Sequence, residues 1–244
     1  MLVDDLRGMY YIALKDLRAY YLKPPNVSWG ILFPFAFVLA FIIRNPGDFR
    51  SLIPGLIALT LLFSTTSMEA IVITFERRIG SLERLFLSPI RMPAILGGKL
   101  LGGMVFGLGI SIIVSVIAIL LFPVNGIQWF MFFLAILFSA ASCAALGAFV
   151  SVAVKEVFEA QTLANFVRFP MMFLGGVFIP VDSLPAWLQV VARCLPLTYS
   201  VEAIRTSIFG GAWVTAWIDL GMLLLFSVGF YWLSIVMLTN RSQQ

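Results

Sequence analysis

From Phe75 to Lys99 the chain reads FERRIGSLERLFLSPIRMPAILGGK, a charged segment that separates two long apolar runs. The protein as a whole is 61% hydrophobic and only 11% charged, so a segment this rich in charge marks a part of the chain that lies in water. Gly80, Pro89 and Pro93 interrupt it, which favours a short helix bounded by turns over one long helix. We therefore interpret the apolar runs on either side as separate membrane spans.

The composition of the chain predicts an all-α integral membrane protein. Its mean hydropathy is +1.02, and several apolar runs reach the roughly 20 residues that cross a bilayer core of about 30 Å. The polar segments are too short to form a soluble catalytic domain, so any energy source is expected in a partner. With no histidine in the chain, Ser-His triads, Cys-His pairs and histidine-bearing zinc sites are excluded, and we expect no metal. The net charge of +4 requires no nucleic-acid partner.

Six apolar runs are bounded by charge, proline or glycine and predict six transmembrane helices. They cover residues 27–43, 51–75, 96–122, 127–154, 163–179 and 214–238. An even number of spans places both termini on one side of the membrane. Lysine and arginine concentrate on the side of the N-terminus, so the positive-inside rule makes both termini cytoplasmic in a multi-pass protein of the cell membrane.

This topology divides the chain into three parts. They are a cytoplasmic interfacial helix at 1–25, a transmembrane domain at 26–240 that includes a cytoplasmic loop at 76–99 and an external hairpin at 182–211, and a cytoplasmic tail at 241–244. Residues 6–21 have the periodicity of an amphipathic helix that lies along the interface, and Pro24-Pro25 ends it. The alternative for residues 6–21 is a helical stem that continues the first span.

The external hairpin is expected to contain two short helices. Ser183-Leu-Pro185 and Pro196-Leu-Thr198 each read as a helix start, and the apolar stretches that follow are too short to cross a membrane. Two re-entrant helices that dip into the outer leaflet fit this pattern, and an ordinary external loop with helical turns is the alternative.

A family resemblance adds to this interpretation. The pattern Glu76-Arg77-x-x-Gly80-x-Leu82-Glu83-x-Leu85-x-x-x-Pro89, followed by Gly98-Lys99, resembles the cytoplasmic loop of the type-2 ABC exporter permeases. The segment from Phe173 to Pro180 and the external hairpin are similar to the second half of the same family. The matching hairpin residues are Pro185, Trp187, Pro196, Tyr199 and Arg205.

The resemblance implies a transport subunit that is not itself an enzyme. Two copies would form a homodimer, surrounded by membrane lipid, above two copies of an ATP-binding cassette subunit that holds the ATP and magnesium. This chain is expected to bind no cofactor. Gly97-Gly98-Lys99-Leu100 is its nearest approach to a phosphate loop, but it lacks the upstream glycine and the following serine or threonine.

The resemblance also gives the charged loop a role in coupling ATP hydrolysis to transport. The residues to which it extends this role are Glu76, Arg77, Gly80, Leu82, Glu83, Arg84 and Leu85. Gly80 permits a break, Ser81 is predicted as the helix N-cap, and residues 83–87 as a short helix with Glu83 in its first turn. The alternative is a solvated loop whose arginines only set the topology.

Two charged residues are expected inside the membrane. Glu69 and Arg168 lie at matching depths on the second and fifth predicted spans. Because an unpaired charge is costly there, we expect them to pair, either within one subunit or across the dimer. Independent snorkelling of each side chain to the inner headgroups is the alternative.

The same two spans are expected to line the transport path by analogy with the family. Their large apolar side chains include Phe63, Met68, Phe166, Phe169, Met172 and Phe173. Such a lining suits a hydrophobic or amphipathic substrate, for example a drug, a lipid or a lipid-linked saccharide, although a lipid-facing helix has the same composition. The resemblance therefore implies that this chain is the permease of an ABC exporter that works by alternating access. A secondary transporter or channel that needs no ATPase is the alternative, and an intramembrane enzyme has less support.

Overall fold

The computed structural model describes residues 2–44, 49–122 and 126–242, which form α-helices joined by turns and contain no β-strand. The α-helices are α1 Leu2–Asp16, α2 Pro24–Arg44, α3 Phe49–Arg78, α4 Ser81–Phe86, α5 Met92–Leu121, α6 Trp129–Ala153, α7 Val157–Leu174, α8 Ala186–Arg193, α9 Pro196–Phe209 and α10 Trp213–Ser242. A π-helical turn, Leu17–Tyr21, follows α1, and a 3₁₀ turn, Val181–Ser183, precedes α8. The all-α prediction is confirmed. The predicted tail at 241–244 lies outside the described residues beyond Ser242.

Four of the described helices are long and apolar enough to cross a membrane. They cover Arg50–Arg78, Met92–Leu121, Trp129–Ala153 and Trp213–Asn240, and they match the second, third, fourth and sixth predicted spans. The first and fifth predicted spans coincide with α2 and α7, and the count of six spans stays a prediction. Helix α7 ends at Leu174, earlier than the predicted 179, because Gly176 has a φ of +76° that does not continue a right-handed helix.

Helix α3 is the central element of the fold. It packs against α2, α5, α6, α7 and α9, and 89% of its most apolar stretch is buried, against 17% for α10. Three of its hydroxyls are satisfied within the helix itself, because Thr60, Ser64 and Thr65 donate to carbonyls one turn earlier. A helix that carries polar side chains can therefore sit in an apolar core.

Glycines on α5 allow neighbouring helices to approach closely. A side-chain carbon at Gly98 would lie 2.9 Å from the Met9 carbonyl oxygen of α1, and one at Gly107 would lie 2.1 Å from the Thr65 methyl group of α3. These distances are too short for any residue larger than glycine. Gly98 and Gly107 therefore form part of the packing surface of α5.

Helix α1 packs on α5 and then breaks at Leu22 and Lys23, before α2 begins. Its inward face carries Ile12, Ala13 and Asp16, whereas Tyr10 on the predicted apolar side is 62% exposed. The break separates α1 from the first span, which disfavours a continuous helical stem. The position of α1 along a membrane interface stays a prediction.

The predicted external hairpin contains the short helices α8 and α9. Helix α9 begins with Pro196 at its N-terminus and is buried against α3, α6 and α10. Tyr199 donates a hydrogen bond to the Arg193 carbonyl at 2.7 Å, and Arg205 donates to the Gly176 carbonyl at 3.0 Å. The first bond lies within the hairpin, and the second fixes the hairpin to the end of α7. Trp187 on α8 is exposed. Re-entry of the two helices into the outer leaflet stays a prediction.

Candidate functional site

The turn between α3 and α4 is built on Gly80. This residue has a φ of +68°, in the left-handed region that favours glycine, and it caps the N-terminus of α4 without a side-chain bond. The predicted break at Gly80 is therefore confirmed. The prediction of Ser81 as the N-cap was wrong, because the turn at Gly80 already makes Ser81 the first helical residue. Glu83 lies in the first turn as predicted, where its negative charge interacts favourably with the helix dipole.

The predicted coupling residues of α4 divide between an inward and an outward face. Leu82 is buried, and Leu85 packs at the edge of the same apolar cluster of α3 and α5 residues. Glu83 and Arg84 are exposed, and Leu87 just after the helix is 87% exposed. We call Glu83, Arg84 and Leu87 the coupling surface. It is a charged and apolar face on a short helix whose other side is anchored in the core.

Arg77 fastens α3 to the end of α6. Its Nη2 donates to the Ser151 carbonyl at 3.1 Å and to the Val154 carbonyl. Both carbonyls belong to the C-terminal turn of α6, where a cation satisfies free acceptors and the negative end of the helix dipole. This side chain is thus engaged within the subunit beside the coupling surface.

Glu76 is fully buried and does not reach the coupling surface. Its carboxylate receives hydrogen bonds from Lys15 at 2.5 Å and from Lys99, and Lys99 also lies 3.1 Å from the Asp16 carboxylate. We call Lys15, Asp16, Glu76 and Lys99 the buried charge cluster; three of these side chains are fully buried, and that of Lys15 is 40% exposed. Glu76 therefore links α1, α3 and α5 inside the subunit, and its predicted role in coupling stays a prediction.

The buried charge cluster contains two cations and two anions, so its formal charges balance. Burial lowers the pKa of Lys15, but its hydrogen bond to Glu76 and the charge of Asp16 outweigh this effect, and the pKa lies above its ordinary value. Sequence reasoning missed Asp16 and Lys99 as partners. They are 83 residues apart in the chain, and no local pattern joins them.

The expected pair of Glu69 and Arg168 is not formed within the described chain. Glu69 accepts a hydrogen bond from the Tyr21 hydroxyl at 2.9 Å and faces Gly103 of α5 and Gly147 of α6. Arg168 instead reaches the Ser67 hydroxyl. Ser67 and Glu69 are two positions apart, which places them about 200° apart around α3. Because Glu69 is fully buried on its own side, the two charges lie in separate environments.

An open cavity of about 360 Å³ lies between α2, α3 and α7. It is lined by Asn26, Gly30, Phe33, Phe63, Ser64, Ser67, Met68, Ile71, Gln161, Asn165, Arg168 and Phe169. Phe63, Met68 and Phe169 of the predicted pathway are thus brought together. Phe33 lies 4.3 Å from Phe63 between ring centroids and 6.4 Å from Phe169, so aromatic faces form one wall.

The other predicted pathway residues lie elsewhere. Met172 is fully buried in the main apolar core. Phe166 and Phe173 are 76% and 56% exposed on the outside of α7 and do not line the cavity. Three of the six predicted lining residues therefore share the cavity.

Comparisons with known proteins bear on this arrangement. Residues 10–209 match the family model described as "ABC-2 type transporter". The chain is 25% identical over 241 residues to the inner membrane transport permease YadH of Escherichia coli (strain K12), covering 91% of this chain and 93% of that protein. It is 25% identical over 197 residues to ABC transporter G family member 20 of Dictyostelium discoideum, covering 79% of this chain and 27% of that protein. A stretch of 72 residues is 38% identical to nodulation protein J of Rhizobium meliloti (strain 1021), covering 30% and 28% of the two chains.

Proposed function

Because this chain belongs to the ABC-2 type transporter family, we propose that it exports a hydrophobic or amphipathic substrate from the cytoplasm by alternating access. Members of this family are multi-pass membrane subunits of ABC transporters and are not catalytic themselves. The family therefore implies an ATP-binding cassette partner. Export as the direction, the class of substrate and a homodimer with two ATPase copies are the proposed details.

The coupling surface is the observation that carries this proposal. Glu83 and Arg84 point outward from a helix of six residues, while Leu82 on the opposite face is buried at 2% exposure. A partner that binds the outer face of α4 therefore contacts a helix whose opposite face is packed in the apolar core. Such a contact transmits movement because a packed core does not absorb displacement by gradual compression.

The buried charge cluster supports the transmission of that movement. Lys99 of α5 contacts both Asp16 of α1 and Glu76 of α3, so these three helices are joined by ion pairs. Helix α3 continues from this cluster to Phe63 and Met68 in the cavity wall. A displacement of α4 is thereby linked to the cavity through one continuous helix.

The composition of the cavity wall supports an amphipathic substrate. Phe33, Phe63 and Phe169 offer aromatic surface, and Met68 adds a flexible, polarizable side chain. Polar groups of Asn165, Ser67 and Arg168 lie in the same cavity. A molecule with both apolar and polar parts matches this wall better than a purely hydrophilic molecule does.

Transport in inside-out vesicles tests the proposal. Vesicles that contain the chain and its partner ATPase are expected to accumulate a fluorescent amphiphile when ATP is added, and not with a non-hydrolysable analogue. Accumulation driven by an ion gradient without the ATPase would favour a secondary transporter. ATP-driven loss of preloaded amphiphile from the same vesicles would contradict export.

A further inference from the structure

The cavity between α2, α3 and α7 contains a buried cation for which the described part of the chain supplies no counter-charge. Arg168 is fully buried. It donates to the Ala164 carbonyl at 3.1 Å, to Asn165 Oδ1 at 2.6 Å and to the Ser67 hydroxyl, all of them neutral acceptors. Among the described ranges, no carboxylate forms an ion pair with its guanidinium. Because a buried charge without a partner is strongly unfavourable, this position favours an anion.

The buried charge cluster shows how the same protein treats other buried cations. Lys99 is also fully buried, yet two carboxylates, from Asp16 and Glu76, surround it. A buried lysine can become neutral by losing a proton, whereas an arginine stays protonated. Among the described residues, Lys99 therefore has the counter-charge that Arg168 lacks.

The surroundings of Arg168 indicate the shape of the missing anion. The guanidinium carbon lies 4.8 Å from the centroid of the Phe63 ring, a cation–π contact that holds the group in place. The Gln161 side-chain oxygen is buried in the same cavity without a hydrogen-bond donor. A headgroup that combines a negative charge with a hydroxyl would satisfy both residues. The rings of Phe33 and Phe169 then lie beside its apolar portion.

We propose that this cavity binds the anionic headgroup of an amphiphile that carries a phosphate, sulfate or carboxylate, with Arg168 as its ion-pair partner. The identification of this amphiphile as the transported substrate rests on the function proposed above. A resident anionic phospholipid offers the same chemistry, and the two sources are separated by whether the molecule moves when ATP is hydrolysed.

Binding of two detergents with the same alkyl chain tests the headgroup site. The complex is placed in nanodiscs of neutral phosphatidylcholine without nucleotide and titrated calorimetrically with dodecyl phosphate or dodecyl maltoside, with empty nanodiscs as the blank. We expect dodecyl phosphate to bind at least about tenfold more tightly, as a close charge pair supplies this much. Equal binding of the two detergents to the wild-type complex would overturn the proposal.

The variant Asn165→Asp gives the sharpest test. It is nearly isosteric and places a carboxylate where the amide oxygen now lies 2.6 Å from Arg168 Nη2. Since the cation then has an internal partner, we expect the preference for dodecyl phosphate to disappear while the thermal stability is kept or raised. Arg168→Gln is expected to lose the preference too, and Arg168→Lys to retain part of it. A preference that survives Asn165→Asp would contradict the proposal.

Arg193→Gln is the matched control, because it removes one positive charge from an exposed position on α8 and should leave the preference unchanged.

Movement of labelled dodecyl phosphate between leaflets with ATP identifies a substrate site, whereas binding without movement identifies a site for resident lipid. The binding assay contains no nucleotide, so a failure of ATP-driven export leaves its result unaffected. Conversely, a loss of headgroup preference leaves the proposed export of other amphiphiles standing.

Discussion

At the scale of single residues, Lys99 of α5 joins α1 and α3 through two ion pairs. It lies 83 residues from Asp16 in the chain and 3.1 Å from it in the structure, and it also contacts Glu76. Removal of one member of a buried ionic group leaves the others without compensation, and this usually costs more than the intact group contributes. The buried charge cluster is therefore a sensitive point for both folding and coupling.

Lys99→Met is expected to lower the free energy of unfolding by about 3–5 kcal/mol, because Asp16 and Glu76 lose their shared cation in a buried site. The double variant Lys99→Met with Glu76→Gln should be less destabilised, since the ion pair of Lys15 and Asp16 at 3.0 Å remains balanced. Thermal unfolding in detergent micelles measures both. The exposed Lys155→Met serves as control and should change stability by less than about 0.5 kcal/mol. A loss no larger than in this control would refute the structural role.

For Glu69 and Arg168 the structure predicts independence where the sequence predicted a pair. Glu69 contacts Tyr21 and Arg168 contacts Ser67, so the two substitutions Glu69→Gln and Arg168→Gln should add. In a double-mutant cycle on thermal stability, we expect a coupling energy below about 0.5 kcal/mol. A larger coupling would show that the two side chains meet in another conformation or across subunits.

At the scale of elements, α4 is a short helix with one buried and one exposed face. Its length of six residues is too short for independent stability, so the packing of Leu82 between α3 and α5 residues holds it in place. Gly80 sets the angle at which it leaves α3. The exposed side chains are thus free to contact a partner without any cost to the core.

Charge reversal on the coupling surface is expected to impair association and not folding. Glu83→Lys and Arg84→Glu should each leave thermal stability within about 0.5 kcal/mol, because both side chains are exposed. Co-purification of the ATPase and its substrate-stimulated hydrolysis should fall. Arg193→Glu on α8 is the control for Arg84→Glu, because it makes the same change in charge at another exposed position. Normal association and turnover in both α4 variants would exclude a docking role.

At the scale of the whole molecule, the described helices surround α3 rather than enclosing a path. Helix α3 is buried along most of its length, and α10 is exposed along most of its own. The cavity beside α3 is open at its side. On the proposed function, a single copy provides one wall of a pathway, and closure requires a second surface.

A second copy of this chain is the simplest source of that surface, because two-fold symmetry is the most common closed arrangement. Native mass measurement of the active complex is expected to show two copies of this chain and two of the ATPase. A complex that transports with one copy of this chain would disprove the dimer. Cross-linking through single cysteines on α2 and α7 can then locate the contact.

The sequence by itself determined that the protein is all-helical and where several of its helices lie. The lengths of the apolar runs, the break at Gly80 and the helix start at Pro196 depend on neighbouring residues, so their patterns are visible in the chain. Tertiary structure alone decided which charges meet. Glu76 belongs to the charged loop in sequence, but the approach of α1 and α5 buries it beside Lys99. Glu69 and Arg168 match in depth, yet their side chains point in different directions. The position of a residue along a span gives its depth, but only the packing of the helices fixes the rotation of each helix about its axis.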